Sequence, residues 1–280
     1  MDIGLNMSIS TNSIDVADIA AKAEALGFES IWLPEHPVMP VNPASKYPGS
    51  PDGSIPDYMS DMADPYIGLA RASAVTNTIK LGTGITLIPE RNPLVLAGAI
   101  ASLDRFSGGR FLLGIGTGWL REETEVMGGD FDHRWTQARE SIEVMRALWT
   151  QDTAEYHGRY YDFPPVQCNP KPTQAGGPPV ILGGNARNVF RRVARWGDGW
   201  MPTASSPEQI AAGRAAIDEL AEASGRDPAS IGITVFGQPA DRDLIGRFEN
   251  AGANRVIVRL GDTTSVQAME EMEKIAEAVL

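Results

Sequence analysis

One cysteine, three histidines and no long apolar run narrow the chemistry before any motif is read. Cys168 by itself forms no intrachain disulfide, which fits a reducing compartment. His36, His133 and His157 lack the spacing of metal ligands, so no metal site is expected. The opening MDIGLNMSISTN has neither the basic nor the apolar segment of a secretory signal. No stretch approaches the roughly 20 apolar residues that span a bilayer. Positive charge is also short: 24 Lys and Arg against 36 Asp and Glu leave a net charge of −12. That field repels phosphate backbones and argues against nucleic acid as a partner. G-x-S-x-G elbows and P-loops are missing as well. The expectation is a cytoplasmic protein that acts on a small molecule, away from membranes and nucleic acid.

What is present is a core. Hydrophobic residues make up 42% of 280 positions, and that length suits one (β/α)₈ barrel of roughly 250 residues or two smaller domains. Short β-rich runs alternate with helical patterns from end to end. Candidate strands are Ile3–Met7, Ser30–Pro34, Ile79–Ile88, Arg110–Gly116, Pro179–Gly183, Asp198–Pro202, Ile231–Gly237 and Arg255–Leu260. Most are continuously apolar, as IWL, FLLGI, VIL and VIV, the pattern of parallel strands covered on both faces. Helices are expected over Ile14–Leu26, from Pro65 behind an Asp64 cap, and over Pro93–Phe106, Arg134–Trp149, Arg187–Arg195, Pro207–Ala223, Asp241–Ala251 and Ser265–Val279. Eight βα units predict a single α/β (β/α)₈ TIM barrel over residues 1–280, with an open doubly wound sheet as the alternative. Two segments break the rhythm as insertion loops: 37–64 after strand two and 152–178 before strand five.

Barrel chemistry sits at the C-terminal strand ends. Strand two ends in Pro34-Glu35-His36-Pro37, where a histidine beside a carboxylate either works as an acid or base or satisfies a proline-bounded turn. In strand three, Gly82 and Gly84 suggest a bulge or a close backbone approach, and Arg91 follows. Strand four ends Gly114-Ile115-Gly116-Thr117-Gly118-Trp119, but a dinucleotide fingerprint needs glycine where Trp119 stands. A planar ligand against backbone and indole is one reading, a tight turn with a core Trp the other. Strand five ends Gly183-Gly184-Asn185 before a helix, an arrangement that suits an anion.

Together these segments resemble the bacterial luciferase-like monooxygenase superfamily, in its coenzyme F420-dependent oxidoreductase branch. The resemblance rests on SIWLPEH (30–36), LGTGITLIPERNP (81–93), SLDRFSGGRFLLGIGTGWLREE (102–123), LWTQD (148–152), PKPTQ (170–174), PPVILGGN (178–185) and ARWGDGW (194–200), in that order. It implies His36 as acid or base beside the reacting ring, with Glu35 as its acidic neighbour. It further implies a non-prolyl cis peptide at Gly84–Ile85 backing the ring, Thr117, Gly118, Trp119 and Glu122 in the cofactor segment, and Gly183, Gly184 and Asn185 as the phosphate turn. Arg91, Arg121 or Arg187 would meet an acidic cofactor tail. The implied activity is hydride transfer between deazaflavin C5 and a small organic substrate, in a homodimer. Two alternatives stand beside it: an FMN-dependent monooxygenase, and a cofactor-binding protein without turnover.

Overall fold

The runs IWL, FLLGI, VIL and VIV all lie in strands of one closed sheet. The computed structural model describes residues 1–261, 263–264 and 267–280. Its strands are β1 (Asp2–Asn6), β2 (Ser30–Leu33), β3 (Lys80–Thr83), β4 (Thr86–Leu87), β5 (Phe111–Gly116), β6 (Ala154–His157), β7 (Asp162–Val166), β8 (Val180–Gly183), β9 (Gly199–Met201), β10 (Gly232–Gln238) and β11 (Arg255–Arg259). All barrel pairings are parallel: β1 lies between β2 and β11, β2 pairs with β3, β3 with β5, and β5, β8, β9, β10 and β11 follow in turn. The expected third strand, 79–88, is two pieces of one barrel strand. Gly84–Ile85, with a cis peptide between them, separates β3 from β4, and β4 also pairs with β5.

Helices α1 (Val16–Leu26), α2 (Pro65–Ser73), α3 (Pro93–Phe106), α4 (Arg121–Val126), α5 (Arg134–Thr150), α6 (Val189–Trp196), α7 (Pro207–Ala223), α8 (Arg242–Asn250) and α9 (Gln267–Val279) surround the sheet. Asp64 caps α2 as its spacing predicts, accepting from the Tyr66 and Ile67 amides at 2.8 and 3.2 Å. α1 starts two residues later than its apolar pattern, because Asp15 accepts from the Ala17 amide and so becomes the cap. The predicted start of the last helix, Ser265 and Val266, lies outside the described residues. α4 is absent from the sequence reading: REETEV has no apolar stripe and only six residues. The segment 152–178 also differs, since β6 and β7 form an antiparallel hairpin inside it. No described helix is long and apolar enough to cross a membrane.

Alternation divides the apolar residues into two cores. Ile31, Leu33, Leu113, Ile115, Val180 and Leu182 face outward to the helices, while Trp32, Leu112, Ile181, Met201 and Ile257 fill the lumen. Trp32 is fully buried there, and its indole donates to Ser30 Oγ at 2.8 Å. The N-terminal end is closed by Arg255, whose Nε donates to Glu29 at 2.7 Å, and by Lys80, also 2.7 Å from Glu29. Lumen space is tight at Gly114, where a Cβ would stand 2.0 Å from the Thr83 carbonyl oxygen and 2.8 Å from Met201 Cε. Gly114→Ala is therefore expected to cost about 1–3 kcal/mol of unfolding free energy through backbone displacement, checked by urea denaturation.

Candidate active site

The C-terminal barrel end gathers residues from β2, β4, β5 and the loop that follows β2. His36 stands three residues beyond β2, and its Nδ1 lies 2.7 Å from Glu123 Oε2 on α4. A carboxylate only accepts, so Nδ1 carries the hydrogen and Nε2 is left as the working nitrogen. Glu123 is fully buried, and its other oxygen, Oε1, has no partner among the described residues. Trp119 meets the His36 ring edge-on, with centroids 5.8 Å apart.

Behind Glu123 lies a second carboxyl, Glu90, only 2% exposed. Thr124 donates its hydroxyl to Glu90 Oε1 at 2.8 Å, while Glu90 Oε2 is buried without a partner. Burial first, and then the charge of neighbouring Glu123, pushes the Glu90 carboxyl up to about 8. At neutral pH it keeps its proton, which spares the buried site a second negative charge beside Glu123.

Glu35 faces away from His36. It accepts the Leu87 amide at 2.6 Å and pairs with the Arg91 guanidinium, which reaches Asp64 at 2.8 Å. Burial pushes its carboxyl up, and Arg91 and the Leu87 amide oppose that. Asp64 thus serves two masters: Oδ1 caps α2 and Oδ2 holds Arg91. These residues tie the ends of β2 and β4 to the start of α2. A cavity of about 180 Å³ opens here, lined by Glu35, His36, Met62, Asp64, Arg91 and Met127.

The long loop after β2 is docked rather than loose. Glu122 Oε1 accepts the Ala44 and Ser45 amides at 2.7 and 3.1 Å, and the Ser45 side chain first, with these amides behind it, holds its carboxyl down at about 2. Tyr47 packs on Trp119 with centroids 5.2 Å apart. Thr117 is buried at the end of β5, and Gly118 turns the chain at φ 76°. Half-buried Ile85 closes the lumen beside Phe236, which fills the space a Cβ on Gly84 would need.

On the far side, Gly184 takes φ 92°, which favours glycine, and donates to the Met201 carbonyl at 3.0 Å. Asn185 reaches the Thr203 carbonyl at 2.6 Å, joining this turn to the one after β9. Among the described residues, the backbone amides of 185–188 donate to nothing, and they precede α6. Free amides at a helix start form an anion site. Asn6, at the end of β1, adds a buried Oδ1 without a partner.

A closed parallel barrel with this order of strand-end motifs matches the sequence model of the luciferase-like monooxygenases over residues 7–243. The chain belongs to that family. A relative of unassigned function from Mycobacterium tuberculosis is 35% identical over 99% of this chain and 98% of its own. An F420-dependent glucose-6-phosphate dehydrogenase from Amycolatopsis mediterranei is 28% identical over 94% of this chain and 76% of that one. Monooxygenase RslO1 from Streptomyces bottropensis superposes with a TM-score of 0.79 at 20% identity, covering 99% and 98% of the two chains. The coenzyme F420-dependent tetrahydromethanopterin reductase from Methanopyrus kandleri gives 0.77 at 19%, also covering 99% and 98%. At such identity these two structures establish the shared fold.

Within this luciferase-like barrel, the expected residues divide their roles. His36 and Trp119 meet directly, Glu35 and Glu122 are spent on the strand ends and the loop, and Gly183 lies against Ile85, a Cβ on it falling 3.1 Å from Ile85 Cγ2, while Asn185 joins the turn after β9. Glu123 and Glu90 escaped the sequence reading. Without α4, nothing told which of Glu122 and Glu123 turns inward.

Proposed function

We propose that this luciferase-like protein is an oxidoreductase that uses coenzyme F420, exchanging hydride between deazaflavin C5 and a small organic substrate. The observation that carries the reading is the His36–Glu123 pair at 2.7 Å, a histidine with a fixed tautomer at the C-terminal end of the barrel. The relationship to a 28% identical F420-dependent dehydrogenase supports the choice of cofactor.

The residues present fit such a group. Unpaired amides at 185–188 suit a phosphate, the buried Asn6 Oδ1 suits a ligand N–H, and Gly84–Ile85 with Thr117, Gly118 and Trp119 present backbone and indole to a flat ring. Bound there, the deazaflavin supplies the carbon that accepts or gives a hydride, a two-electron chemistry that the side chains lack. His36 delivers or takes the accompanying proton at Nε2. Glu123 holds the ring and steadies the imidazolium, and Glu90, kept neutral by burial, adds no competing charge behind it. Glu35 acts one step further out, setting Arg91 and the end of β4. Glu122 and Tyr47 hold the 37–64 loop over the site, which limits water. The reading includes a two-fold homodimer, for which Ile67 on α2 and Val95 and Phe106 on α3 supply exposed apolar side chains.

Titration of the purified protein with F420 and with FMN, side by side, tests the cofactor. Binding of F420 at least about tenfold tighter than FMN, a difference of 1.4 kcal/mol, is the expected result. The reverse order moves the protein to the second reading, a reduced-FMN monooxygenase, which the family's own description favours. Oxygen consumption with a flavin reductase would then follow.

A further inference from the structure

Outside the barrel end lies a second concave site that the proposed reaction does not use. A cavity of about 380 Å³ opens between the first turns of α5 and the exposed face of α6. Arg139 comes from α5 and Arg191, Arg192 and Arg195 from α6, with the indoles of Trp135 and Trp196 as walls. No carboxylate lines it. In a chain of net charge −12, four guanidinium groups around one cavity whose lining holds no carboxylate are a local inversion of the field.

The internal contacts do not explain the cluster. Among the described residues, the side chains of Arg191 and Arg195 make no hydrogen bond or ion pair, and that of Arg139 reaches only its helical neighbour Glu143, at 3.6 Å. Arg192 lies over the Trp135 ring, 4.6 Å from its centroid, with Nη1 buried and unpartnered. Burial, followed by the nearby Arg134 charge, pushes the Arg192 guanidinium down from its ordinary value. Like charges gathered on a partly buried wall repel one another and cost stability unless an anion joins them. Guanidinium forks bind carboxylate and phosphate oxygens in pairs, and indole faces confine the ligand between them.

We infer that this cavity binds an oligoanion, a ligand carrying two or more carboxylate or phosphate groups. Two sources present that chemistry. One is a free oligoanionic metabolite; the other is the anionic tail of the cofactor proposed above. α6 begins at Val189, four residues after the Gly183–Asn185 turn, so a chain held there by its phosphate would be led toward Arg191. The tail source rests on the F420 reading; the site itself does not.

The test uses tripolyphosphate as the probe, titrated by calorimetry into the intact protein and into R191E/R195E. Both replaced side chains are exposed and neither lines the cavity beside His36, and thermal unfolding of the variant verifies its fold. Saturable binding to the native protein, weakened about tenfold or more in the variant and by added salt, is expected. No saturable binding, or equal binding to both proteins, overturns the inference. A second arm compares F420 with a deazaflavin phosphate that lacks the tail. If the tail occupies the cavity, R191E/R195E weakens F420 and leaves the tailless ligand unchanged. If both deazaflavins are unchanged while tripolyphosphate binding is lost, the ligand is a separate oligoanion. If neither deazaflavin binds the native protein, the F420 reading fails and the tripolyphosphate result still decides the site.

Discussion

His36→Ala lowers turnover by about 10²- to 10⁴-fold while cofactor affinity stays within a few-fold, because the side chain supplies proton transfer and only a small part of the binding surface. The geometry makes that split sharp. Glu123 fixes Nδ1 at 2.7 Å, so the loss falls on the proton delivered at Nε2. Removing the imidazole also strands Glu123, fully buried, without its partner. A stranded buried charge costs several kcal/mol, so the variant is less stable as well as slower. The double variant H36A/E123Q separates the two effects: it regains stability without regaining turnover. Glu123→Gln alone keeps a hydrogen-bonding group beside the ring but loses the charge that steadies the imidazolium, and falls between native and H36A in turnover. Single-turnover absorbance and a denaturation curve for each variant are the measurements. Turnover of H36A within tenfold of native would remove the proton-transfer role. Cofactor binding with no turnover in any variant, native included, would support a carrier protein.

Glu90→Gln raises stability, and raises it more as the pH climbs from 5 to 8. The carboxyl titrates at about 8 in the folded protein against 4.5 for an ordinary glutamate. Between those values the folded state keeps a proton that the unfolded chain has lost, so folding stability is full below 4.5 and falls as the pH rises through 8. At 1.36 kcal/mol per pH unit, the full difference is about 5 kcal/mol, and partial relaxation makes about 3 a reasonable lower figure. Glutamine is neutral throughout. It retains an acceptor for Thr124 and gives a permanent donor in place of the carboxyl proton. Urea unfolding of both proteins at pH 5, 6.5 and 8 measures the effect. Parallel stability curves would show that Glu90 is ionised in the folded state.

The barrel was legible in the chain because its signals are local. Continuous apolar runs mark strands buried on both faces, and Asp64 before Pro65 marks a helix start by hydrogen bonding within three residues. The Glu35-His36 pair at a strand end, the Gly84–Ile85 interruption and the Gly183–Asn185 turn were likewise readable, two of them through the family resemblance. The β6–β7 hairpin was not, because DFPPV carries two prolines and reads as loop.

What the amino-acid order determined without further help is therefore the fold and the family, and it offered His36 at a strand end as the histidine proposed for the chemistry. The tertiary structure decided which carboxylates serve that histidine. Glu35 is adjacent in sequence but is drawn to Arg91, whereas Glu123 is 87 residues away and 2.7 Å off. It also decided that charge is not spread evenly. Arg139 and Arg191 to Arg195 belong to two helices with ordinary surface patterns, and only their packing side by side makes a basic cavity in an acidic protein. The physical reason is the same in both cases: helix phase and strand order set which side chains share a space, and neither is written in the spacing of residues along the chain.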